Sequence, residues 1–186
     1  MVESCVFEQS EKDKNVYHNY FLENGLEVLI VEDRNVKDVT KESAFSCLSL
    51  CVGVGSFNED RVRGGMAHFL EHMIFMGSNK FPDENLFSKM VSQNGGYTNA
   101  YTEYEFTNYY FKIKTSGLLE VTDIKANLLK EPLLKKDAVE REIKSIESEF
   151  EATFPSDGNR RYELYSRMSG EGNPMNFFNF GNLKSL

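Results

Sequence analysis

Between Gly64 and Met76 the chain reads GGMAHFLEHMIFM, an almost wholly apolar run with three ionisable residues set into it as His68-x-x-Glu71-His72. On a helix, residues three and four apart share a face, so His68 and His72 project side by side, one turn apart. Two imidazoles so placed can both reach one divalent ion, at Zn–N distances of about 2.0–2.1 Å. Glu71 follows His68 by three residues and adjoins His72, at the edge of that site, where a carboxylate can take a proton from a water on the metal. The competing account is two hydrogen-bonded core histidines and a surface glutamate. Against it, the chain has three histidines in all, and two of them fall at ligand spacing in one apolar segment. Burying two imidazoles and a carboxylate without compensating partners is costly. A metal supplies the compensation, and the spacing is that of the H-x-x-E-H zinc-site pattern.

Two histidines leave the site incomplete, because catalytic zinc takes three protein ligands and keeps a further position open. The third histidine, His18, lies in an expected strand far upstream, and nothing in the sequence places it nearby. A carboxylate is the better candidate, and KKDAVEREIKSIESEFEAT, expected to be a helix over 135–153, offers Glu140, Glu142, Glu147, Glu149 and Glu151. Glu142 and Glu149 are seven apart and so share a face two turns apart, with Val139 and Ile146 alongside. Spacing does not choose between them, and a solvated acidic face explains the run equally well.

The elements that must position these residues follow from local pattern. The first sixteen or so residues form a polar arm. YHNYFLENGLEVLIVED then reads as two strands around a turn at Glu23-Asn24-Gly25, since Asn-Gly supplies the positive φ a tight turn needs. The second of these, Leu26–Val31, is nearly all aliphatic and reads as a buried strand. Residues 34–43 form a charged connection. AFSCLSLCVGVGSF follows as a strand, with Leu48, Leu50, Val52 and Val54 on one face. Its Gly53-Val54-Gly55 does not meet the G-x-G-x-x-G dinucleotide pattern.

Gly64-Gly65 breaks the chain, and Met66 to about Met76 reads as a buried helix, without Pro, Gly or strand alternation. DENLFSKMVSQNGG is a second helix, with Asp83 as its N-cap and Gly95 as its stop. GYTNAY and EFTNYYFKIK, rich in Tyr, Phe and Thr, read as paired strands. Helices over 118–129 and 135–153 flank Pro132, another covers 159–168, and the tail GNPMNFFNFGNLKSL is aromatic and irregular. Strands come first, helices mix in later, and no βαβ alternation appears. The expected class is therefore α+β, a mixed or antiparallel sheet with helices packed on it.

Bulk properties bound the function. A chain of 186 residues can bury a real core. Its net charge of −8 argues against a nucleic-acid partner, which needs a basic stripe. There is no apolar run of membrane-spanning length and no signal-peptide core, so no membrane partner and a cytoplasmic location are expected. Three cysteines give no disulfide framework and fit a reducing compartment. Cys47 and Cys51 sit in a strand, roughly 13 Å apart, too far to share one zinc, and read as structural.

Four stretches carry a resemblance. HFLEHMIFMGSNKFPDEN, TNAYTEYEFTNYYF, EREIKSIESEFE, and PSDGNRRYELY with GNPMNFFNFGN occur in the order and spacing of the N-terminal domain of the insulin-degrading enzyme and nardilysin family. These are inverzincin metallopeptidases, and the resemblance runs from roughly Asn19 to the end. HFLEHMIFMGS and PSDGNRRYE lean toward nardilysin, TNYYF toward insulin-degrading enzyme.

The resemblance implies the third zinc ligand at Glu149, 77 residues after His72, and a role for Glu142 in orienting a ligand histidine. It implies one zinc per chain, His68 and His72 as ligands, and Glu71 as the general base of a peptide hydrolysis by zinc-activated water. GYTNAY resembles the family's substrate-docking edge strand, which puts Asn99, Ala100 and Tyr101 against an extended peptide; from residue type alone Asn99 is an ordinary ladder or turn residue. Family members close two related halves around the substrate. This chain is too short for the second, so residues 17–186 are expected to be an incomplete N-terminal peptidase domain, with the missing C-terminal half as partner and little activity alone. The other reading is a non-catalytic peptide- or partner-binding subunit of the same fold, in which the motif is typically lost; here His68, Glu71, His72 and Glu149 are all present.

Overall fold

The computed structural model describes residues 8–34 and 44–186. Cys5 and nearly all of the charged connection lie outside the described residues. By its contacts the chain divides into two compact units, Met1–Ala44 and Phe45–Leu186.

In the first unit, β1 (Val16–Phe21) and β2 (Glu27–Glu32) pair antiparallel, with Val16 opposite Glu32 and Phe21 opposite Glu27. The turn is the expected one: Gly25 takes φ 84° and the Asn24 side chain accepts from Leu26 N–H. The expectation of a buried second strand is corrected. Leu29, Ile30 and Val31 are about half exposed. A two-stranded hairpin has two open faces, and aliphatic composition alone does not supply the layer that covers one.

In the second unit, β3 (Phe45–Val52), β4 (Tyr97–Thr102) and β5 (Thr107–Lys114) form an antiparallel sheet in the order β3-β5-β4. Phe45 pairs with Lys114 and Tyr97 with Lys112. Leu48, Leu50 and Val52 alternate inward as expected. Val54 does not join them: the chain leaves the ladder at Gly53, folding so that Val54 N–H bonds the Val52 carbonyl, and the Val54 side chain is exposed.

The core lies on one face of this sheet. Tyr109, Phe111 and Ile113 of β5 meet Ile74, with Phe87 and Val91 from α2 (Leu86–Gln93) and Val121, Ile124 and Leu128 from α3 (Leu118–Lys130). Each pair of neighbours on a helix sits three or four apart, the spacing that puts them on one face. Each such side chain contributes roughly 1.5–3 kcal/mol of transfer free energy. Helix α2 begins at Leu86, with Asn85 rather than Asp83 at the N-cap position. Asp83 closes a turn just upstream instead, taking Asn85 N–H on its carboxylate and Leu86 N–H on its carbonyl.

Helix α1 (Met66–Met73) carries the ionisable motif. Its N-terminal amides are held by Glu59, whose two oxygens accept from Gly65 N–H and Ala67 N–H at 2.8 Å each. A carboxylate there also meets the positive end of the helix dipole. Burial pushes the Glu59 carboxyl up from its ordinary range, against the pull of those amides. The helix stops three residues earlier than its apolar run, tightening so that the Phe75 and Met76 amides bond carbonyls three residues back. The next loop is pinned to the connection that follows α3. Ser78 bridges Pro132, Asn79 N–H bonds the Glu131 carbonyl, and Leu133 N–H bonds the Gly77 carbonyl.

Helices α4 (Lys136–Thr153) and α5 (Asp157–Met168) complete the unit, and residues 169–186 form neither helix nor strand. No helix among the described residues is long and apolar enough to cross a membrane.

Candidate metal centre

Helices α1 and α4 pack against each other and bring together residues far apart in sequence. His68, His72 and Glu149 each offer a ligand atom, and these atoms lie within 4.8 Å of one another. Glu149 Oε2 is 3.8 Å from His68 Nε2 and 3.5 Å from His72 Nε2. Ligand atoms held at about 2.0–2.2 Å around one tetrahedral ion stand roughly 3.4 Å apart, so the two His–Glu separations suit a single zinc. Glu149 is the more exposed of the three, with the imidazoles largely covered beside it.

The other ring nitrogens are also engaged. His72 Nδ1 is 3.1 Å from Glu142 Oε2, and His68 Nδ1 is 2.7 Å from the carbonyl oxygen of Phe180. A carbonyl oxygen or a carboxylate can only accept, so both rings donate from Nδ1 and turn Nε2 toward Glu149. That is the tautomer a metal-binding imidazole needs when its far nitrogen is hydrogen-bonded. A donor set of two imidazoles and one carboxylate fits zinc and leaves a coordination position open.

Glu71 stands apart from this trio. It is 7% exposed, and its Oε2 accepts a 2.6 Å bond from the Thr102 hydroxyl at the end of β4. Behind it lies Lys125 of α3, 2% exposed, with no hydrogen-bond partner for its ammonium. Three aromatic rings take the place of one: Nζ sits 3.8 Å from the Phe75 centroid, 4.4 Å from Tyr109 and 5.1 Å from Phe87. Burial pulls Lys125 down to about 7, with the Glu71 charge acting in the other direction. Burial likewise pushes the Tyr109 phenol above its ordinary range, reinforced by Glu71.

Asn99, Ala100 and Tyr101 lie on β4, which pairs with β5 and with no other strand among the described residues. Ala100 turns toward the core, while Asn99 and Tyr101 face away from it. The Asn99 side chain accepts from Ala100 N–H at 2.9 Å. On the open side of the sheet, Cys47, Tyr97, Tyr101, Tyr110 and Lys112 border a depression of about 340 Å³. Cys47 and Cys51 are free and exposed there, not packed in a core. His18 belongs to β1 in the first unit.

Sequence reasoning missed Glu59, Thr102, Lys125 and the Phe180 carbonyl. Lys125 had a signal, since it falls four residues after Val121 and three before Leu128, on the apolar stripe of its helix. The Phe180 carbonyl is backbone and leaves none.

A family model described as "Insulinase (Peptidase family M16)" matches residues 36–168. The chain is 40% identical to insulin-degrading enzyme-like 2 of Arabidopsis thaliana over 94% of its own length and 17% of that protein's. It is 41% identical to human nardilysin over 81% of its length and 13% of that protein's. The chain thus spans under a fifth of these curated relatives. Among solved structures, pitrilysin superposes with a TM-score of 0.88 at 30% identity, over all of this chain and 19% of pitrilysin. A protease from Helicobacter pylori shares the fold at a TM-score of 0.80.

Proposed function

Because the chain belongs to the insulinase family, peptidase family M16, we propose that it is the zinc-holding part of a metalloendopeptidase longer than itself. One observation carries the reading: three ligand atoms gathered within 4.8 Å, with both imidazoles already tied back through Nδ1. His68, His72 and Glu149 would hold the ion, and Glu142 would keep the His72 ring turned to it. When bound, zinc polarises a scissile carbonyl and acidifies a water.

The chain's own residues do the rest. Glu71, outside the ligand trio, accepts a proton and later returns it to the leaving amine. Thr102 fixes the Glu71 carboxylate through its hydroxyl, so the base and the β4 edge share one anchor. An extended peptide would add along Asn99, Ala100 and Tyr101 through main-chain hydrogen bonds, displacing the Asn99 amide from Ala100 N–H. Main-chain docking tolerates many substrate sequences. Residues 17–186 are read as the start of the family's N-terminal domain. The relatives' much greater length supports a C-terminal part that completes the chamber, and little turnover without it. Free Cys47 and Cys51 suit a cytoplasmic setting.

The purified chain should hold about one zinc. His68→Ala with His72→Ala should abolish it, and Glu149→Gln should weaken it more than Glu142→Gln. Stoichiometric zinc in the double histidine variant would sink the assignment. In the full-length protein, Glu71→Gln should retain zinc and lose peptide cleavage; normal cleavage would place the base elsewhere.

A further inference from the structure

The segment after α5 lies beyond residue 168, where the family match ends, yet it crosses the helix pair that gathers the three ligand atoms. From α5 the chain turns back, with the Ser166 hydroxyl donating to the Met175 carbonyl and Arg61 Nη2 donating to the Gly172 carbonyl at 2.9 Å. It then runs against the start of α1. A Cβ on Gly64 would overlap the Phe178 carbonyl, and one on Gly65 would overlap the Gly181 backbone. The Gly64-Gly65 pair therefore does more than interrupt the chain before a helix. It lets a second stretch of backbone lie directly on the helix N-terminus.

That approach delivers the Phe180 carbonyl to His68 Nδ1. The Phe180 ring stands edge-on to His68 at 5.0 Å and against Phe150 of α4 at 5.9 Å. Phe178 meets the same Phe150 ring at 5.5 Å. Three residues on, Leu183 N–H donates to Glu147 Oε2 of α4 at 2.6 Å. Glu147 and Phe150 flank Glu149 on either side along that helix. So one short segment touches α1 at the first ligand and α4 around the third.

We propose that residues 178–183 are a clamp that positions the metal ligands: Phe180 sets the ring and tautomer of His68, and the Phe150 and Glu147 contacts hold α4 in register beside α1. This rests on the metal-site reading above. The two histidines of one helix are then oriented from different places, His72 by a side chain of α4 and His68 by the main chain of the segment after α5.

The test uses the 186-residue chain and zinc itself. Gly65→Ala and Gly181→Ala each put a methyl into the contact, at φ 91° and 89°. Gly170→Ala has the same left-handed backbone, φ 92°, with nothing within reach, and so controls for strain alone. Glu147→Ala removes the anchor on α4 from a half-buried position and leaves every glycine in place. Zinc affinity is read by competition with a chelating dye, and the His68 tautomer by ring-nitrogen NMR of the metal-free chain.

The wild type should show His68 protonated at Nδ1. Gly65→Ala and Gly181→Ala should lose that state and bind zinc roughly 10–100-fold more weakly. Glu147→Ala should weaken zinc by a smaller factor, and Gly170→Ala should change neither readout. Folded Gly181→Ala and Glu147→Ala variants with wild-type zinc affinity and unchanged His68 would overturn the clamp. A wild type that takes no zinc, but whose His68 tautomer is set by Gly65 and Gly181, would overturn the metal reading and leave the clamp standing.

Discussion

Alternate residues of β5 face opposite ways. Tyr109, Phe111 and Ile113 are buried beneath the helices, whereas Tyr110, Lys112 and Lys114 turn to the other side and stay partly exposed. The neighbouring strand repeats the division, with Ala100 and Thr102 on the covered side and Tyr97, Asn99 and Tyr101 on the open one. The covered side is packed and holds two buried ionisable groups: Glu71 hangs from Thr102, and Lys125 sits against Tyr109. The open side has tyrosines, free cysteines and a shallow depression. The contrast teaches that parity along one strand decides whether a side chain meets Glu71 and the helices or turns to the open side. A one-residue slip of β4 would remove Thr102 from Glu71.

Substitutions can press on that contrast. The largest effect should come from Phe111→Ala, which empties a fully buried site facing α2 and should cost about 3–5 kcal/mol by chemical denaturation. A loss of under about 1 kcal/mol would mean the covered side is not the core of this unit. Next comes Lys125→Met, which keeps the length of the side chain and deletes a buried charge.

Lys125 stands at about 7 when folded against an ordinary 10.5. Below pH 7 both states carry the proton and the folded state bears the desolvation cost in full. Between about 7 and 10.5 the unfolded chain keeps the proton and the folded chain has shed it, so wild-type stability should rise with pH across that window. Lys125→Met should therefore stabilise by a few kcal/mol, on the order of 5 at most, at pH 6 and by much less near pH 10. An equal gain at both pH values would show that the ammonium is not the source. The smallest effect should be Tyr97→Ala on the open side, within about 1 kcal/mol. A larger loss would reveal that this side is covered by something in the protein studied.

Element types were legible because each rests on a local rule. The Gly64-Gly65 break, the unbroken apolar run and the i, i+4 histidines give α1, and the Asn-Gly turn gives the hairpin. Helix ends were less legible: α1 stops at Met73 because its last amides tighten, which hydrophobicity does not encode. Burial of β2 was misjudged, since an aliphatic strand states a need for cover without supplying it. In the site, the histidine pair was plain from spacing. The choice of Glu149 over Glu142 depended on resemblance, and the structure sets the two apart by which ring nitrogen each faces. What stayed hidden depends on backbone brought together over long sequence separations, as with Phe180 at His68.

The pin between the loop after α1 and the connection after α3 bears on how quickly the site can assemble. His72 and Glu149 are separated by 77 residues, and closing a free loop of that length has an entropic cost that grows with the logarithm of its contour. Once Leu133 N–H bonds the Gly77 carbonyl, the path left to close runs only from His72 to Gly77 and from Leu133 to Glu149. That is nearly a fourfold shortening, or about 1 kcal/mol less to recover when α4 arrives. Two backbone bonds and a buried serine thus shorten the loop that separates His72 from Glu149.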